Sequence, residues 1–175
     1  MTDKILLLEI LAEDYNQKED SYLNRTIQDV FDCSYKKAKK LARTYCNCIS
    51  FYMCLFASDL IDISFFEYLE IGYNQKVFSG GKWRNNITQK GYIYDKEKLC
   101  EKMGVNFEME IMRDYATFEN PEMLNQNSIY QVRIKTGLRS KHFMACAIHE
   151  GKFITFDTWG GKKVTRKNFD ALIEV

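Results

Sequence analysis

The chain has 175 residues, of which 46% are hydrophobic, 14% aromatic and 28% charged, and its formal net charge is +1. Such a composition can bury a real core and excludes bulk disorder. A near-neutral balance also argues against a strongly basic coat for nucleic acid, and no Pro- or Ser-rich linker, low-complexity tract or internal repeat divides the chain.

The opening MTDKILLLEILAEDY has a short apolar run, contains Glu9 and lacks a small-residue cleavage site. It predicts a core helix over 4–16 rather than a signal peptide. The longest apolar stretch, 49–56, holds Ser50 and soon meets Asp59, too short for a membrane span. A cytoplasmic protein with no membrane partner is expected. Its six cysteines (Cys33, Cys46, Cys48, Cys54, Cys100 and Cys146) are then reduced thiols. The Cys46/Cys48/Cys54 spacing fits no common zinc module, so no metal or organic cofactor is implied.

Asn24 or Thr26 is placed to cap a second helix through Phe31, and Ser34 a third with apolar positions Ala38, Leu41, Ala42 and Tyr45. The same spacing continues through Ile49, Tyr52, Met53, Phe56 and Leu60. One helix over 35–61, or two that break near 44–47, fits equally well. Residues 65–69 are expected to be helical and 79–86 a loop around Gly80 and Gly81. Asp95 caps a helix that Gly104 stops. The period then changes from 3.6 to 2, predicting strands over 107–112, 128–135, 142–149 and 152–157, the last two joined by a Glu150-Gly151 turn. Val164-Thr165 is read as a last strand and Asn168 as the cap of a terminal helix. The sum is an α+β protein with N-terminal helices packed on a C-terminal antiparallel sheet.

Residues 26–43 also have the outline of a helix-turn-helix with a basic second helix. Its lysines, Lys36, Lys37, Lys39 and Lys40, read more simply as a solvated face. The cluster Lys162, Lys163, Arg166 and Lys167 reads the same way.

Chemistry concentrates in KHFMACAIHEGKFITFDTWGG. With a two-residue turn at 150 and 151, residues pair across the hairpin when their numbers sum to 301. His142 then faces position 159, and Asp157 falls two residues away on the same face, within diagonal reach of an imidazole. A thiol nucleophile needs a nearby imidazole, and the imidazole needs an acceptor that fixes its tautomer. Asp157 supplies that acceptor, and Trp159 is placed to shield the pair from water.

Cys46, with Ser50 four positions on and an apolar helix after it, resembles the nucleophile helix of papain-like cysteine peptidases, bacteriocin-leader peptidases included. His142-Phe143 and Asp157-Thr158-Trp159 resemble the strand start and the downstream Asp-x-Trp of those families. The order Cys46, Gly91-Tyr92-Ile93, His142-Phe143 also resembles a prophage- and plasmid-borne group. The resemblance spans 44–161 and implies a papain-like domain over 44–175 behind a helical extension over 1–43. It implies Cys46 as nucleophile, with Cys48 as rival, His142 as general base and Asp157 as its orienter. The implied activity is cleavage of a peptide or isopeptide bond in a peptide or protein substrate.

Two departures stand out. The glutamine that such enzymes place six residues before the cysteine is Lys40 here, with Gln28 or Asn47 as stand-ins. An unbroken 35–61 helix would also deprive Cys46 of the free N–H groups of a helix start. The missing glutamine and the added N-terminal helices support an alternative, an inactive papain-like scaffold that binds a host or phage protein as inhibitor or adaptor. A helix-turn-helix DNA-binding protein is the second alternative.

Overall fold

The computed structural model describes residues 2–18, 22–81, 88–93, 95–138 and 140–175. Helices fill the first half: α1 (Thr2–Asp14), α2 (Tyr22–Val30), α3 (Tyr35–Ala42), α4 (Cys46–Ala57) and α5 (Phe65–Asn74). A two-stranded ribbon follows, β1 (Phe78–Gly81) against β2 (Thr88–Ile93), then α6 (Lys96–Lys102). The second half forms a five-stranded antiparallel sheet from β3 (Ile111–Met112), β4 (Ile129–Lys135), β5 (Lys141–His149), β6 (Lys152–Phe156) and β7 (Phe169–Glu174), with α7 (Tyr115–Glu119) between β3 and β4. Strands lie in the order β3-β7-β4-β5-β6. The expected α+β arrangement, helices first and antiparallel sheet after, is the one observed.

The helix that matters most is α4. It is apolar almost all round, with Ile49, Phe51, Met53, Cys54 and Leu55 each fully buried. A helix with no polar face belongs inside a fold. Each large side chain so buried is worth about 1.5–3 kcal/mol, which fixes α4 firmly against the sheet. Strand alternation supplies the surface it packs on. Ile129, Ala145, Ala147 and Phe156 join the core around α4. The intervening Tyr130, Val132, Ile134, Met144 and Cys146 build a second core on the opposite face. Tyr115, Phe118 and Leu124 cover that second core, with Phe118 stacked on Phe153 at 4.7 Å.

Several local expectations are met. Ser34 caps α3 through Lys37 N–H, and Asp95 caps α6 through Lys98 N–H. Gly104 follows α6 at φ 75°. Helix α5 begins with a reciprocal capping box between Ser64 and Glu67 and runs past the expected end.

Others are corrected. Asn24 and Thr26 do not cap α2 but lie buried inside it, and the Thr26 hydroxyl donates back to the Tyr22 carbonyl. Residues 79–81 belong to strand β1, not to a loop, while 82–87 lie outside the described residues. Of 107–112 only Ile111–Met112 pairs as a strand. At the C-terminus, Val164-Thr165 is not a strand and Asn168 caps no helix. Asn168 instead closes a turn, accepting from Thr165 N–H and donating to the Lys163 carbonyl. Residues 169–174 then enter the sheet between β3 and β4. Helices α2 and α3 do form a pair across a short turn; Lys36, Lys37 and Lys40 are exposed while Ala38, Leu41 and Ala42 face the core.

Candidate active site

The open question at 35–61 resolves as two helices. Thr44 N–H bonds the Leu41 carbonyl at 2.7 Å and Tyr45 N–H the Ala42 carbonyl at 3.1 Å, closing α3. Tyr45 is fully buried, edge-on to Phe31 with centroids 6.1 Å apart, and this inward turn redirects the chain. The next helix starts at Cys46. Thr44 does not cap it; its hydroxyl donates to the Leu41 carbonyl at 2.8 Å, and Tyr45 occupies the cap position without a side-chain capping bond. Cys46 therefore sits in the first turn, where backbone N–H groups lack helical acceptors and the helix dipole favours an anion.

The histidine comes from β5. Pairs Ala145–Phe156 and His149–Lys152 confirm the hairpin register, each summing to 301, with Glu150 at φ 50° and Gly151 at φ 71° in the turn. Pairing with β6 ends at Phe156, so Asp157 is the first residue free to turn toward His142. Its Oδ1 lies 2.6 Å from His142 Nε2. The carboxylate is fully engaged: Oδ1 also accepts from Trp159 N–H and Oδ2 from Lys162 N–H, both at 2.9 Å. Both side chains are more than nine-tenths buried.

Cys46 meets the same imidazole. Burial alone would lower the ring's pKa. The hydrogen bonds to Asp157 and to the Cys46 sulfur, with the negative charge of each, outweigh it, and the pKa rises from 6.5 to about 9. Burial likewise acts to raise Asp157, but the bonds from His142 and from the Lys162 and Trp159 N–H groups hold its carboxyl below the ordinary 3.8. With Nε2 on Asp157, Nδ1 is the nitrogen left for the thiol. Cys46, His142 and Trp159 line one cleft of about 240 Å³, together with Arg43, Lys141 and Lys162.

Two buried networks hold this arrangement. Behind Cys46, the Ser50 hydroxyl donates to the Cys46 carbonyl at 2.6 Å and accepts from Gln131 Nε2 at 2.6 Å. Gln131 Oε1 in turn accepts from the buried Lys96 ammonium. In front, Gln17 bridges the two halves of the site. Its Nε2 donates to the Ala42 carbonyl at 2.6 Å, and its Oε1 accepts from Thr158 Oγ1 at 2.9 Å. The Gln17 N–H also bonds the Thr158 carbonyl at 2.8 Å. Sequence reasoning missed Gln17, Thr158, Gln131 and Lys96; only Ser50, at its spacing from Cys46, carried a signal.

The stand-ins for the missing glutamine do not reach the cleft. Asn47 Oδ1 accepts from Ile93 N–H at 2.9 Å, which ties the end of the Gly91-Tyr92-Ile93 segment to α4. Gln28 and Lys40 do not line the cleft, and Lys40 is exposed on α3. Cys48, the rival nucleophile, is fully buried and burial pushes its thiol well up. Cys54 and Cys100 are pushed by burial to about 12. Among the described residues no group of three or more His, Cys, Asp or Glu side chains is arranged to hold a metal ion, and no helix is long and apolar enough to cross a membrane. Comparisons with family models, curated proteins and solved structures find no match for the chain.

Proposed function

We propose that this protein is a papain-like cysteine hydrolase that cleaves a peptide or isopeptide bond. The supporting observation is the site itself: a partly exposed thiol at a helix start, beside an imidazole whose far nitrogen is held by a buried, fully bonded carboxylate. In this mechanism the Cys46 sulfur, as thiolate, attacks the substrate carbonyl carbon. The oxyanion develops toward the free N–H groups of the first turn of α4. His142, charged and hydrogen-bonded to Asp157, passes its proton to the leaving amine as the C–N bond breaks. Water then attacks the thioester, losing a proton to His142, and the acid departs as the thiolate reforms.

The decisive measurement is the rate of iodoacetamide alkylation of each cysteine from pH 4 to 9, mapped by mass spectrometry, in wild type and His142→Ala. Cys46 is expected to react at a pH well below the other thiols and to lose that advantage without His142. Ordinary behaviour of Cys46 in the wild type would remove the proposal.

One observation favours a second reading, an inactive papain-like scaffold that binds another protein. Among the described residues no side-chain amide lines the cleft, and Asn47 Oδ1 is committed to Ile93, so none of them takes the place of the usual second oxyanion donor. A tight protein complex that survives Cys46→Ala, with no thiol-dependent turnover, would support it.

A further inference from the structure

A second cavity, of about 170 Å³, opens on the helix-facing side of the sheet and shares no lining residue with the Cys46 cleft. Its walls are mostly apolar: Ile93, Met109, Ile111, Phe143 and Ile173. Met109 is 40% exposed and marks where it reaches the surface. Two cations, Lys96 and Arg133, also line it, and among the described residues no Asp or Glu does.

The two cations are unequally neutralised. Arg133 donates through Nε to Asp170, which lies outside the lining and also receives Lys141 at 2.7 Å. Lys96 is 7% exposed, and its ammonium has a neutral acceptor, Gln131 Oε1, and the face of the Phe51 ring at 4.4 Å. Among the described residues no carboxylate lies within ion-pair distance of it. A buried ammonium without a counter-ion is costly, and an ammonium has three donors to place. Repulsion from Arg133 adds to burial in drawing Lys96 down to about 8. An anion between the two would offset both the burial and the repulsion. Apart from Asn47, the rest of the lining is apolar, and the cavity is of the size that holds a benzene-like body; a dry cavity of about 150 Å³ does so elsewhere.

We propose that this cavity is a binding site for a small carboxylate with a compact apolar body. The carboxylate would sit between Lys96 and Arg133 and the body against Phe143, Ile111 and Ile173. Its lining includes Asn47 and Phe143, each adjacent in sequence to a candidate site residue, so an occupant would touch both α4 and β5. The inference does not depend on Cys46 being a nucleophile.

Benzoate and its neutral isostere benzamide are the probes. Thermal unfolding and methyl-resolved NMR are run on the full chain with each. Benzoate is expected to raise Tm and shift the Met109, Ile111 and Ile173 methyl resonances, binding at least about tenfold more tightly than benzamide. Lys96→Met keeps a cavity of similar volume and should erase that preference. Should Lys96→Met fail to fold, the wild type still decides, because bound benzoate must raise the titration midpoint of the Lys96 ε-methylene signals. Equal binding of the two probes, benzoate preference retained in Lys96→Met, or cavity methyls that do not move would each overturn the proposal.

Discussion

Replacing Asp157 by Asn tests the electrostatics of the site directly. The substitution keeps the shape of the side chain but removes its charge. It also turns an NH2 group toward a donor, since both oxygens already accept, Oδ2 from Lys162 N–H. The rise of His142 from 6.5 to about 9 corresponds to roughly 3 kcal/mol in favour of the charged ring. Asp157 is the leading contribution that raises it, so Asp157→Asn should lower the midpoint by at least about one pH unit. The assay is a proton–carbon NMR titration of the ring Cε1; with only His142 and His149 in the chain, assignment is simple. Stability must follow the same linkage. His142, raised in the folded state, contributes fully below pH 6.5 and loses its contribution as pH rises through about 9. Asp157, lowered in the folded state, contributes above its ordinary 3.8 and loses that as pH falls. The stability gap between wild type and Asp157→Asn should therefore be widest between about pH 4 and 6.5, at roughly 2–3 kcal/mol, and narrow on both sides. A wild-type His142 that titrates at or below 6.5, or a midpoint that Asp157→Asn leaves in place, would refute the pairing.

Gln17→Leu should cost about 1–3 kcal/mol in urea unfolding, because it strands the Thr158 hydroxyl and the Ala42 carbonyl, and it should slow Cys46 alkylation; no change in either would deny Gln17 its bridging role. The cations Arg43 and Lys162 at the cleft should make Cys46 prefer iodoacetate to iodoacetamide, a preference that falls with added salt and in Arg43→Gln and Lys162→Gln. If both variants keep the wild-type ratio, those charges do not act on the cleft. Gly72→Ala should destabilise by about 1–3 kcal/mol, since a Cβ there would collide with the buried Phe78 ring; an unchanged Tm would show that α5 yields easily.

Much of the fold was legible because its signals were local. The caps at Ser34 and Asp95 are one-turn motifs, and the β5–β6 register follows from a two-residue turn with Glu150 and Gly151 in the left-handed region. Misreadings arose where long-range pairing overrode local preference. The segment after Asn168 looks like a capped helix start, yet Phe169, Ala171 and Leu172 are buried between two strands that the local sequence does not mention. The ribbon strand β1 was hidden by glycines that normally punctuate loops. Among site residues, Asp157 could be found from hairpin arithmetic. Gln17 could not: its partners lie 25 and 141 positions away, and a glutamine after a helix has no local signature.

That distance carries a physical consequence. Cys46 and Asp157 belong to elements far apart in sequence, and the turn before α4 is held without a side-chain cap. Something must fix the start of α4 relative to the loop after β6, or the imidazole between them would have no defined geometry. Gln17 does so from the end of α1, with three short buried bonds to the two sides. Ser50 and Gln131 do so from behind, tying the Cys46 carbonyl to β4. Buried polar networks are costly when half satisfied and rigid when complete. The one behind Cys46 runs from its carbonyl through Ser50 and Gln131 to Lys96, which lies at the far end beside the second cavity. The network thus joins the helix start at Cys46 to the cavity of the proposed ligand. A carboxylate that engaged Lys96 would act on Gln131, and through Ser50 on the helix start that presents the thiol. Cys46 alkylation rates with and without benzoate measure that coupling, and reciprocity requires that alkylated protein bind benzoate with an affinity changed by the matching factor.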